Sequence, residues 1–282
     1  MYSHLNEPHL MKKLNKYELG IKLISCFKDY DKIYLVTTYF EGKTLDFYKD
    51  TFLDENKIKF ISACIIQSFI YFRKENIIHR DINFKNIIMD IDKYFNIIDF
   101  SCSINYVSKN RRQYYLNNDV NVVPPEIFHH KKYYFNSDYY RFGSIIYYLI
   151  FKNYPNLIKN ERNITHIIID YKTIDNYSHN CIDFLNKLIV EDPIKRIGYN
   201  DVNELKNHPW FDNFQWKKLE KKEIKSPFSF INGSNKNHIC RKFKKTDIMI
   251  KLYKIVSKTA TFEKMIKNYE FADISKLIDK KN

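Results

Sequence analysis

Residues 77–90 read IIHRDINFKNIIMD, setting His79, Arg80 and Asp81 side by side with Asn86 five positions after the aspartate. Charged and amide groups rarely interrupt a run of isoleucines for packing reasons, since burying an unpaired carboxylate costs several kcal/mol, roughly, even after relaxation. These groups need partners. Oxygen ligands gathered in one place suit a hard divalent cation such as magnesium held jointly with phosphates.

The flanking residues indicate what positions them. Over residues 56–72, NKIKFISACIIQSFIYF, the helical spacing of Ile58, Ile61, Ile65 and Phe69 predicts a buried helix leading into the motif. Two short apolar runs follow, NIIM from Asn86 and YFNII ending just before Asp99, separated by the turn-like Asp90 to Lys93. Paired as a hairpin centred between Asp92 and Lys93, they set Asn86 directly across from Asp99, with side chains ~5 Å apart. Both would then converge beside Asp81.

With these residues in view, the chain resembles a eukaryotic protein kinase. His79, Arg80, Asp81 and Asn86 resemble that family's catalytic loop, and Asp99 and Phe100 its metal-binding Asp-Phe-Gly, here reading DFS. The ordered series that follows gives the likeness its specificity. PPEIF, at 124–128, resembles the Ala-Pro-Glu that closes the activation segment. SDYYRFG, at 137–143, resembles the start of a buried helix and carries Asp138, and EDPIKRIG carries Arg196, the expected ion-pair partner of Glu126.

The resemblance implies roles. Asp81 would accept or orient the proton of a substrate hydroxyl, while Asn86 and Asp99 would hold magnesium on the β- and γ-phosphates of ATP. Lys85 would bring a cation to the γ-phosphate from four residues after the aspartate; the family's serine/threonine members usually carry a lysine two residues after it, where this chain has Asn83. IYLVTTYFEGKTL, at 33–45, resembles the strand and hinge between two lobes, with Thr37 as gatekeeper. Thr38, Tyr39 and Phe40 in the hinge, and Ile88 beyond the catalytic loop, would then border the adenine. Arg80 resembles the residue that clasps an activation-segment phosphate. Phe100 and His79, with Met11 and Leu23, resemble the stacked spine joining the lobes, although ordinary core packing would also account for them. Ser101 stands where the family has glycine, which would limit positive-φ conformations there.

HLNEPHLMKKLN resembles the family's C helix and sets Glu7 at its ion-pairing glutamate, with Pro8 expected in the first turn. The family's glycine-rich loop and strand-borne lysine lie upstream of that helix, and no lysine precedes Lys12. The five glycines, at 20, 42, 143, 198 and 233, form no G-x-G-x-x-G. Either the chain is part of a longer kinase, or it is a degenerate one acting as an interaction module.

Composition bounds the rest. The 282 residues suit one kinase domain or slightly less. Five cysteines, at 26, 64, 102, 181 and 240, form no close pair, so neither a disulfide framework nor a zinc site is indicated and an intracellular, cytoplasmic setting is expected. The longest apolar run, SIIYYLIF, is too short to cross a bilayer. The net charge is +14, of which residues 201–282 supply +9, from 19 basic and 10 acidic residues. A solvated lysine-rich surface accounts for this better than a nucleic-acid site, since no compact motif of interleaved basic and aromatic residues occurs. The expected partner is a protein substrate; nothing speaks to oligomeric state. The acidic residues that select basic peptides in related kinases are missing from the matching places, Thr44 and Lys85.

The far end narrows the subgroup. HPWFDNFQWKKLEKKEIKSPF, at 208–228, resembles the start of the C-terminal tail in the group containing the A, G and C kinases. IKNYEF resembles that group's hydrophobic motif, with Tyr269 and Phe271 as docking aromatics and Glu270 at the place often phosphorylated. The expected architecture is α+β: a kinase-like bilobal fold with a truncated N-lobe over 1–40 (the C helix and two strands), a mostly helical C-lobe over 41–211 and a basic tail over 212–282.

Overall fold

A computed structural model of the chain describes residues 3–28, 32–106, 123–130, 132–155, 158–160, 163–165, 176–229 and 248–254. The IKNYEF motif, with Tyr269, Glu270 and Phe271, lies outside them.

Helix α1 (Ser3–Leu14) carries Glu7 and is followed by β1 (Leu23–Lys28) and β2 (Lys32–Thr38). Pro8 is not in the first turn as expected but sits inside α1. A proline there removes one intrahelical donor. The helix is held by tertiary burial instead: Glu7, Leu10 and Met11 are at most 2 % exposed.

β1 and β2 pair antiparallel from Leu23↔Thr37 to Lys28↔Ile33, with a register shift between Leu23 and Ser25. The sheet has a third strand beyond the expected pair, β9 (Ile248–Lys254), and its order is β1-β2-β9. With β1 on one side only, β2 would present a row of unpaired backbone groups along its other edge. Seven residue pairs with β9 fill that edge. Residues 1–40 therefore do not complete this sheet by themselves; part of the expected tail returns to it.

Helix α2 (Glu55–Lys74) starts at Asp54, whose carboxylate accepts the Lys57 N–H at 2.9 Å as an N-cap. It is buried on all sides, Ile58, Ile61, Ile65 and Phe69 included, and forms the centre of the core. Around it lie β3 (Ile77–Ile78), β4 (Ile87–Met89), β5 (Phe95–Ile97) and β6 (Ile104–Asn105), paired β3 with β6 and β4 with β5. The helices α3 (Pro125–His130) and α4 (Phe135–Phe151) follow, then the hairpin β7 (Ile158–Asn160) and β8 (Asn163–Thr165), then α5 (His179–Leu188), α6 (Asn203–Lys206) and α7 (Trp216–Glu220). Among the described residues, no helix is long and apolar enough to cross a membrane.

After α7 the chain runs back over the β4–β5 turn. Lys222 Nζ meets Asp90 Oδ2 at 2.7 Å, Tyr94 Oη donates to the Ile224 carbonyl at 2.5 Å, and Ser226 Oγ donates to the Lys93 carbonyl at 2.9 Å. Phe228 then inserts among Tyr48, Phe60 and Phe95, its ring 5.0 Å from that of Phe95. Three aromatic contacts anchor the segment at Phe228.

Candidate active site

The loop over residues 79–86 is held by hydrogen bonds from distant parts of the chain. Asp138, near the start of α4, accepts the His79 N–H at 2.7 Å and the Arg80 N–H at 2.9 Å through its two carboxylate oxygens. Asp138 is 2 % exposed, and burial pushes its carboxyl up to about 6 against the pull of those two amides and of Arg141. Arg80 takes a left-handed φ of 67°, which non-glycine residues rarely adopt. The Asp138 clamp and the bond from Arg80 Nε to the Cys102 carbonyl at 2.6 Å hold it there.

His79 is fully buried, and burial lowers its pKa to about 4 although Asp81 and Asp99 pull it upward. The neutral ring fits its bonds: Nε2–H donates to the Ile98 carbonyl at 3.1 Å and Nδ1 accepts the Asp81 N–H at 3.3 Å. The imidazole thus ties the loop at Asp81 to the residue before Asp99. It also lies edge-on to Phe100 at 5.0 Å and parallel to Phe72 at 6.0 Å. Phe100, Met11 and Leu23 are buried in the same core.

Asn86 joins Asp81 directly. Its Nδ2 donates to Asp81 Oδ2 at 2.9 Å and to the Asp81 carbonyl at 3.0 Å, which leaves the Asn86 amide oxygen outside both bonds. Asn83 shapes the intervening turn, its Oδ1 accepting the N–H groups of Lys85 and Asn86 at 2.9 and 3.1 Å. Asn83 is a positioning residue that the sequence reading passed over, although asparagine at the cap of a short turn is a recognised signal. Lys85 is exposed.

The β4–β5 register differs from expectation by one residue. Ile87 pairs with Ile97 and Met89 with Phe95, so Asn86 lies across from Ile98, whose N–H donates to the Asn86 carbonyl at 2.9 Å. The turn decides this. Lys93 N–H donates to the Asp90 carbonyl, Lys93 takes a φ of 66°, and Asp90 N–H closes on the Tyr94 carbonyl at 2.8 Å. That is a three-residue loop ending in a left-handed residue, centred on Asp92. Asp99 is next along the chain, with φ 67° and ψ 81°, and its Oδ1 accepts the Ser101 N–H at 3.2 Å. Asp99 itself thus takes the left-handed conformation, and Ser101 has no positive φ.

Toward the hinge, Thr37 is buried, Tyr39 is two-fifths exposed and Phe40 packs on the core. Thr38 Oγ1 accepts the Lys22 N–H at 3.0 Å. Ile88 is half-buried and bridges to Thr44, and a Cβ at Gly42 would collide with the Met89 carbonyl, so the chain after the hinge runs tight against β4. Farther off, Arg196 forms a bidentate pair with Glu126, Nη1 to Oε1 and Nη2 to Oε2 both at 2.8 Å, with both side chains at most 1 % exposed. Ser137 Oγ, two residues after Phe135 at the start of α4, donates to the same Glu126 Oε1 at 2.6 Å.

The protein kinase domain family matches residues 2–211 of this chain. The chain belongs to the protein kinase family. Among curated proteins this kinase chain is 28 % identical over 228 residues to a probable serine/threonine-protein kinase of Dictyostelium discoideum, covering 79 % of the chain and 50 % of the relative. It is 28 % identical over 233 residues to cAMP-dependent protein kinase type 3 of Saccharomyces cerevisiae, covering 80 % and 57 %. It is 26 % identical over 248 residues to serine/threonine-protein kinase sgk-1 of Caenorhabditis elegans, covering 83 % and 54 %. The kinase chain therefore resembles the group containing the A, G and C kinases, and it spans about half the length of these relatives.

Proposed function

We propose that the chain transfers the γ-phosphoryl group of ATP to serine or threonine hydroxyls of protein substrates, with magnesium as the metal. The observation that carries this reading is the Asn86 amide bridging to the Asp81 carboxylate, while the Asn86 carbonyl receives the N–H of the residue before Asp99. These bonds support the reading because they bring the backbone that leads into Asp99 beside the loop that carries Asp81 and Asn86. Among the described residues no group of three or more acidic, histidine or cysteine side chains could hold a metal by itself. A short set of hard oxygen donors fits a cation that keeps waters and is shared with phosphates, as magnesium is. Asn86 and Asp99 would hold it, and when bound it would neutralise phosphate charge.

In this reading Asp81 orients the substrate hydroxyl and takes its proton, fixed by Asn86 on one oxygen. Lys85 presents an exposed cation at the mouth of the loop. Thr37, Thr38, Tyr39, Phe40 and Ile88 border the adenine. Arg80 faces the activation segment, and Asp138, His79, Phe100 and the Glu126–Arg196 pair hold the loop in place. Residues 1–40, 41–211 and 212–282 would be the N-lobe, the C-lobe and a tail. The names of the relatives, serine/threonine kinases among them, support the choice of acceptor.

The test is transfer of labelled γ-phosphate from ATP to a mixed protein substrate by the purified chain with magnesium, followed by phosphoamino-acid analysis. Phosphoserine or phosphothreonine that disappears in Asp81→Asn supports the reading. No transfer at any magnesium concentration, or transfer unchanged in Asp81→Asn, overturns it.

A further inference from the structure

We propose that the cavity between the C-terminal ends of α1 and α2 and the start of α4 is a docking site for an acidic peptide segment of a partner protein, with Lys13, Arg73 and Lys132 as the cations that receive its carboxylates. Binding there requires no phosphotransfer. Asp81, Asn86 and Asp99 do not line this cavity, and neither does Arg80, whose Nε is bonded to the Cys102 carbonyl and whose guanidinium lies 5.6 Å from the Tyr133 ring centre.

The cavity encloses about 840 Å³, within the range of ligand clefts, roughly 300–1,000 Å³. Lys13 comes from the last turn of α1, Arg73 from the last turn of α2, and Lys132 from the link between α3 and α4. None of the described residues that line the cavity is acidic, and none of the three cations forms a salt bridge among the described residues. Glu75, whose carboxylate feels Lys13, is taken by Lys16 Nζ and Tyr17 Oη, each at 2.7 Å. Positive charge in the last turn of a helix is favourable in itself, which accounts locally for Lys13 and Arg73. Lys132 lies on no helix, so that reason does not extend to it. Like charges around a concave space focus their field and concentrate anions inside it.

Arg73 is already set in place. Its guanidinium carbon lies 4.1 Å from the centre of the Phe135 ring. A guanidinium stacked on a ring keeps its planar fork of N–H groups for a carboxylate, and its ordering cost is met before the ligand arrives.

The other lining groups select a peptide over a nucleic acid. The rings are engaged with one another and with the cations: Tyr106 lies 4.6 Å from Phe135, Tyr199 lies 6.2 Å from Tyr134, and Lys132 Nζ stands 5.0 Å from the Tyr134 ring centre. They form no open platform on which bases stack. Exposed amides do face the cavity, from Asn76, Asn105 and Asn200. An amide side chain both donates and accepts, as a peptide backbone requires of its partner. Asn136 lines the same cavity at 1 % exposure; its Nδ2 donates to the Pro193 carbonyl at 2.6 Å, while its Oδ1 has no hydrogen-bond partner among the described residues. A wall that holds an unused acceptor beside three cations suits a ligand carrying both N–H groups and carboxylates.

The test is fluorescence polarisation on the full chain without ATP, using a labelled peptide with a run of glutamates and its glutamine counterpart. The glutamate peptide should bind, with affinity falling as salt rises, and the glutamine peptide should not. Lys132→Met should weaken binding roughly five-fold, and Arg73→Met roughly ten-fold or more. Lys217→Met with Lys218→Met, exposed on α7, should leave it unchanged. Thermal melting accompanies each variant; if Arg73→Met unfolds, Lys13→Met with Lys132→Met keeps the Arg73 stack and gives the decision. No binding of the glutamate peptide at low salt overturns the proposal. Equal weakening by the α7 pair also overturns it, since diffuse surface charge would then suffice. A single-stranded oligonucleotide that binds more tightly than the peptide and loses that binding in Lys132→Met assigns the cavity to nucleic acid and overturns the peptide. None of these outcomes bears on phosphotransfer, so the kinase reading stands or falls separately.

Discussion

Asp138 grips the backbone of His79 from 59 positions away, its Oδ2 accepting the His79 N–H at 2.7 Å while Oδ1 takes that of Arg80 at 2.9 Å. The bonds fix a strained turn, since Arg80 sits at φ 67° immediately before Asp81. Asp138→Ala leaves two buried amides without an acceptor, at about 1–3 kcal/mol for each. Urea unfolding should show a loss of that order, and phosphotransfer should fall more than nucleotide affinity because Asp81 loses its placement. Asp138→Asn, which keeps one acceptor oxygen, should lie between. Equal stability of Asp138→Ala and the parent would refute the clamp.

His79 makes stability depend on pH. Its folded pKa, lowered to about 4 by burial, lies below the ordinary 6.5, so the unfolded chain binds the extra proton first. The contribution of the neutral ring is fully present above pH 6.5 and is lost as pH falls toward 4, at up to about 1.4 kcal/mol per pH unit. Asp138, pushed up to about 6, works in the opposite sense over much of the same window. The effect is therefore read as a difference: His79→Phe, placed between Phe72 and Phe100, should be less stable at pH 7 but lose less Tm than the parent between pH 6.5 and 4.5. Parallel Tm curves would contradict the neutral buried imidazole.

The Glu126–Arg196 pair is buried on both sides and further bonded to Ser137 and to the carbonyls of Asn136, Val190 and Glu191. Removing one partner strands a charge, so Glu126→Ala or Arg196→Met should cost about 3–5 kcal/mol. The double variant Glu126→Leu, Arg196→Met should be milder than either single one. A Glu126→Ala protein melting within a degree of the parent would count against this.

Asp99→Asn removes charge and almost no volume. Magnesium-dependent thermal stabilisation by ATP should disappear in the variant while its melting without nucleotide stays within about 1 kcal/mol of the parent, the range of a half-exposed polar substitution. Retention of the magnesium-dependent shift would remove Asp99 from the metal assignment.

Much of this molecule is legible in the residue order. The periodicity of Ile58, Ile61, Ile65 and Phe69 specifies α2, and the run from His79 to Phe100 specifies the loop that carries Asp81 and Asn86 and the turn at Asp99, because side chains only a few residues apart are brought together by local geometry. Tertiary structure decided the rest. The β4–β5 register turned on Asp90 and Lys93 closing a three-residue loop, a difference of one residue that apolar pattern does not resolve in strands of three residues. The Asp138 clamp joins backbone groups, which leave no trace in residue type. Pro8 lies within a helix against local propensity because burial of the surrounding face outweighs one lost hydrogen bond. The third strand of the sheet comes from a lysine-rich segment whose composition reads as solvated surface, and only pairing with β2, more than two hundred residues earlier, makes Ile248–Lys254 a strand. A strand needs a partner to satisfy its backbone, and that partner is chosen in space.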